Sequence, residues 1–140
     1  MALPAVSINY LAVLVAAIVA FFFGWLWHGP LFGKVWMKLS GMTEKSMKSM
    51  KKSSMMKPMA IAFVISLIAI FVLSLFVDYA QATTVFDALE VACLVWLGFV
   101  VPMLASGSLW EGKSWKLFGF GAVYHLINLS IISIILTLWV

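Results

Sequence analysis

Apolar residues run almost unbroken through four long stretches of this chain, and the polar residues gather between them. The stretches run from about Ser7 to Trp27, Pro58 to Val77, Val85 to Ser106 and Leu117 to Trp139. Each is about 20 residues long, which as a helix crosses a hydrocarbon layer of about 30 Å. A lone segment in lipid satisfies its backbone N–H and C=O groups only by being helical. The pattern therefore predicts an all-α membrane protein, with four transmembrane helices in a single domain over 1–140 and a basic loop over 28–57.

Composition makes the same case. Hydrophobic residues are 65% of the chain and charged residues 10%, against about 25% charged in a soluble domain. The expected partner of so much apolar surface is the lipid bilayer. The first stretch has no basic residues ahead of it and is long, so it reads as a retained span and not a cleaved signal peptide.

The end of the first span carries the clearest boundary signal. Trp25, Trp27 and Trp36 flank His28, Gly29 and Pro30. Tryptophan has an apolar body and one N–H donor, so it settles at the headgroup level. Proline lacks an N–H and disfavours helix in the residue before it, so the helix is expected to end at Gly29-Pro30. Trp25, Trp27, His28, Pro30 and Trp36, with Trp110 and Trp115 at the later boundary, are the expected interfacial anchors. In the loop that follows, Thr43 is placed to cap a short basic surface helix, with Met42 and Met47 as its staple. Pro58 suits the first turn of span two. Thr84 and Asp87 have capping-box spacing for span three, and Pro102 predicts a kink or unwinding near its far end.

Charge then orients the bundle. The formal charge of +4 comes from nine lysines without any arginine. Seven lie between spans one and two, and Lys113 and Lys116 lie between spans three and four. Basic loops stay in the cytoplasm, so both termini are expected outside. The same distribution argues against a nucleic-acid partner, for which no motif is present. The loop methionines could offer thioethers to Cu(I), but the interleaved lysines repel a cation. The lone Cys93 sits in an apolar run. No metal and no cofactor is expected.

Ala12, Ala16, Ala20 and Gly24 recur every fourth residue and form a small-residue stripe on one helix face. Such a stripe lets another backbone approach closely, which is how helices associate in lipid. It is the candidate contact of a homo-oligomer. Glu90, Tyr124, His125 and Asn128 form the candidate polar site within spans three and four. An ionisable group there is costly and faces protein or water. By helical rise Glu90 lies about 9 Å below one surface and His125 about 13 Å above the other. A polar column from Glu90 through Asn128 to His125 would handle a proton or small solute whose identity the residues do not specify. Without HExxH, GxSxG or a Ser-His-Asp set, no catalytic residues are assigned and the chain is not expected to be an enzyme.

Gly33-Lys34-Val35-Trp36 resembles Gly112-Lys113-Ser114-Trp115, and each follows an odd-numbered span with a proline near its inner end. Duplication of a two-span hairpin would explain this, and the two hairpins would be parallel. The blocks Asn9 to Val13, Trp27 to Trp36, Trp96 to Pro102 and Tyr124 to Leu126 resemble a prokaryotic membrane family catalogued as domain of unknown function 1761. The resemblance implies a small four-span fold in a prokaryotic cytoplasmic (inner) membrane, and it implies no mechanism. Two functions follow from the residues: a non-catalytic scaffold or accessory subunit acting through helix packing, or a small oligomeric permease or channel built on Glu90, His125 and Asn128.

Overall fold

The computed structural model describes residues 6–41, 45 and 52–139, with side chains in the last range from 55 onward. The basic helix expected after Thr43 lies outside the described residues. Four helices are long and apolar enough to cross a membrane: span one Tyr10–Leu31, span two Met55–Tyr79, span three Val85–Trp110 and span four Trp115–Leu138. The described residues contain no strand.

Three of the four spans start on a local cap. Asn9 caps span one by accepting from the Ala12 N–H at 3.1 Å. Thr84 and Asp87 form the expected reciprocal box at the start of span three, where the Asp87 carboxylate also accepts from the Thr83 N–H. The Ser114 side chain accepts from the Lys116 N–H and opens span four. Such caps satisfy donors that have no partner within the helix.

Neither proline of the odd spans ends its helix, and ahead of Pro102 the helix unwinds locally, as expected. The helix of span one does not stop at Gly29-Pro30. It passes through them as a π turn over Trp27–Leu31, then breaks at Phe32 before a short helix, Gly33–Ser40. In the wide turn the Phe32 N–H reaches the Trp27 carbonyl at 3.1 Å, so the missing proline N–H is absorbed by a shifted bonding register. Span three does the same ahead of Pro102, with a π turn at Trp96–Val100 closed by the Val101 N–H on the Trp96 carbonyl. Both turns open on Trp-x-Gly. The two Gly-Lys-x-Trp segments, by contrast, differ in conformation: Gly33 begins a helix, whereas Gly112 sits in a turn at φ +69°. Pro58 is not a first-turn residue either. The helix of span two already starts at Lys52 and encloses it.

Span four is the centre of the bundle and packs against the other three. Span one lies between spans two and four, while spans two and three touch only briefly. The core sits in the half nearer the termini, where Val13, Ala16, Ala17 and Ala20 meet Ile70, Leu73, Val77, Val91 and Ile132. Asn9 Nδ2 donates to the Trp139 carbonyl at 3.4 Å, joining the two ends of the chain on one side. The small-residue stripe is consumed here. Ala12 and Ala16 are 1% and 0% exposed, and a Cβ placed on Gly24 would stand 2.8 Å from Tyr124 Oη. The stripe brings spans of one chain together, so it is not free to join two copies.

Ala16→Leu is therefore expected to destabilise the fold by about 1–3 kcal/mol through overpacking. Ile18→Leu, on the exposed side of the same helix, should leave it unchanged. Denaturant unfolding in detergent distinguishes the two, and equal stability of both variants would contradict this packing.

Candidate functional site

The basic end of spans one and four is closed by aromatic rings. Tyr124 stacks on Phe23 at 5.5 Å, and the His28 ring meets it edge-on at 4.9 Å. Trp27 packs on Phe32, Phe120 and Tyr124. At 8% exposed, Trp27 is a core residue and not an interfacial anchor. Seven residues on from the buried Ala20, it continues the inward face of the α-helix, and its Nε1 is buried without a partner. Trp25, Trp110 and Trp115 are exposed. Pro30 is exposed, while His28 and Trp36 are half-buried beside each other. His28 Nδ1 lies 2.9 Å from the Gly24 carbonyl. That contact requires Nδ1 to carry the proton, leaving Nε2 as the free ring nitrogen when the ring is neutral.

Halfway along span four the polar residues meet a cavity. His125 and Asn128 line a cleft of about 340 Å³, with Ser66 and Ala69 of span two and Val95 and Val100 of span three on its walls. One helical turn separates His125 from Asn128, so both side chains fall on one face. Spans two and three splay apart above them, and this splay is the cleft. The Asn128 Oδ1 is buried and has no hydrogen-bond partner, a condition that costs about 1–3 kcal/mol.

Glu90 does not join them. Its neighbours Ala88, Val91 and Ala92 are buried, and at 100° per residue Glu90 points away from all three. It is exposed on the outer side of span three and does not line this cleft. The column from Glu90 through Asn128 to His125 is therefore not assembled within one chain. Its depth was readable from the rise per residue, but its direction depends on which face of span three packs on span four.

Several polar residues that matter were not singled out by the sequence. Trp96 Nε1 donates to the Ala122 carbonyl at 2.8 Å and pins span three to span four. Its mid-span position was the available signal, because a tryptophan far from both interfaces needs an internal acceptor. Ser133 and Thr137 are buried with unpartnered hydroxyls, and small hydroxyl residues are too common in such helices to stand out. Two further recesses lie at the ends. One of about 740 Å³ includes Asn9, Asp78, Gln81, Thr83 and Thr137 on the side of the termini. The other, about 400 Å³, includes His28, Trp36, Ser108, Glu111 and Lys113 at the basic end. The Glu111–Lys113 ion pair at 3.0 Å is solvent-exposed, so it adds little to stability. Among the described residues no cluster of three or more His, Cys, Asp or Glu could hold a metal.

Trp96→Phe is expected to cost about 1 kcal/mol, because it removes one cross-span hydrogen bond. Detergent unfolding of Trp96→Phe beside the parent chain measures this, and an unchanged midpoint would show that the bond contributes nothing.

No curated protein and no solved structure matches the chain significantly. A family profile does match it, over residues 11–137, which takes in all four spans and the His125/Asn128 cleft. The chain belongs to that family, whose description is protein of unknown function, DUF1761.

Proposed function

We propose that this multi-pass membrane protein is a non-catalytic subunit that works through lateral helix packing, and that its assembling surface is the outer face of span three. Glu90 carries this reading. Carboxylates inside spans almost always face protein or water, yet Glu90 faces away from its own bundle. Phe86, Leu94 and Leu97 share that face at 70%, 70% and 60% exposed, and Cys93 is exposed beside them. Copies inserted with the same topology hold every residue at equal depth. Two span-three faces can then bring Glu90 against Glu90, where a carboxylic acid and a carboxylate share a proton and screen each other from lipid.

The orientation we propose places Lys34, Lys38, Lys113 and Lys116 in the cytoplasm and both termini outside, following the lysine bias. A permease reading needs Glu90, His125 and Asn128 in one pathway, and Glu90 stands outside it. What supports a solute-handling role is the cleft itself.

The native Cys93 tests the assembly. A short bis-maleimide applied to membranes should yield a cross-linked dimer. Glu90→Gln should preserve the product and Glu90→Lys should abolish it. Moving the thiol to the exposed Val123 of span four, in a Cys93→Ser background, should give none. Absence of the dimer, or equal cross-linking from position 123, would refute the span-three interface. Orientation is read in the same background. Thr83→Cys should react with an impermeant maleimide on intact cells, and Ser40→Cys only after permeabilisation; the reverse pattern would invert the topology.

A further inference from the structure

We infer that the recess on the side of the termini binds a small organic ammonium, a protonated amine carried on an apolar group. This does not depend on how copies assemble or on which way the bundle is oriented. The recess holds about 740 Å³, within the roughly 300–1,000 Å³ of small-molecule sites. Asp78 is the one charged residue among those lining it. All nine lysines lie between spans one and two or between spans three and four, so none belongs to this end of the bundle. Among the described residues the ion pair is Glu111–Lys113, and the exposed Asp78 carboxylate has no cation beside it. Spans two and four both finish here, and neither has a basic residue in its last turn. Their partly negative carbonyl ends therefore add to the Asp78 charge and are not offset by the chain's own cations. Span one starts at the same rim, where the Asn9 side chain already accepts from the Ala12 N–H.

The hydrogen bonds select the same guest. Ser74 donates its hydroxyl proton to the Phe71 carbonyl, and Thr83 donates its own to the Asp87 carboxylate at 3.4 Å. Asn9 Nδ2 likewise gives a proton to the Trp139 carbonyl. Ser74, Thr83 and Asn9 all line the recess, and the two hydroxyls retain only lone pairs for a guest. An ammonium group is a donor without acceptor capacity. It therefore matches a wall that offers acceptors together with a negative charge, and hydrogen bonds between charged groups are the stronger kind. The rest of the lining includes Ile8, Val77, Leu136 and Trp139. Such an apolar wall favours an organic substituent over a bare metal ion, and the Trp139 ring adds a face that attracts cations.

The test uses the full chain in dodecyl maltoside, whose uncharged headgroups neither supply nor attract a cation. The probe is a benzylamine carrying a photoreactive diazirine, and the corresponding benzyl alcohol is the matched neutral control. The amine should label peptides from the ends of spans two and four, and the alcohol should label them roughly tenfold less, the loss expected for one hydrogen bond to a charged group. Asp78→Asn should bring amine labelling down to the alcohol level, whereas Asp78→Glu should retain it. Glu111→Gln removes the same charge at the opposite end of the bundle and should change nothing. Unlabelled phenethylammonium should displace the probe, and sodium at the same concentration should not. Because amine and alcohol are compared on the unaltered chain, the result stands even where a variant fails to fold. Equal labelling by amine and alcohol, full labelling of Asp78→Asn, or equal displacement by sodium would overturn the site.

Discussion

Close approach between span one and span four is the contact on which the rest of this bundle depends. In lipid there is no hydrophobic gain from pressing two apolar helices together, so cohesion comes from dispersion and from the few hydrogen bonds that close packing permits. Alanines at 12, 16 and 20 and the glycine at 24 remove the side-chain bulk that would hold the helices apart. Ala12 and Ala16 are almost wholly buried, and Tyr124 occupies the space where a Gly24 side chain would stand. Span four thereby becomes central, with span three packed on it, span two packed on spans one and four, and spans two and three only lightly in contact.

The π turns refine this arrangement. Each admits a proline into an odd-numbered span without ending the helix, and each opens on a tryptophan that contacts span four. At Trp27 the result is an aromatic plug that closes the basic end of the bundle. At Trp96 it is a hydrogen bond across the span-three/span-four seam. With that seam pinned on one side and span two held by span one on the other, a gap remains between spans two and three. His125 and Asn128 lie at its floor. The carboxyl facing outward and the cleft thus arise from the same asymmetry of packing around span four.

Length and apolarity were enough to read four helices, because a bilayer of nearly constant thickness and a backbone that must bond to itself leave almost no other solution. The capping box of Thr84 and Asp87 was legible too, since it depends on residues three apart. So was the close packing of the alanine stripe, because its spacing alone places it on one face. The stripe's partner was not legible: a helix face does not record whether its neighbour belongs to the same chain. Nor was the fate of Trp27, whose type suits both an interface and a core. The continuation of span one through Pro30 escaped as well, because a π turn absorbs the missing N–H that makes proline a helix breaker. Glu90 and His125 show the division most sharply. Rise per residue sets how deep a side chain lies. The direction it faces depends on helix rotation, and rotation is chosen by the summed contacts of all four spans.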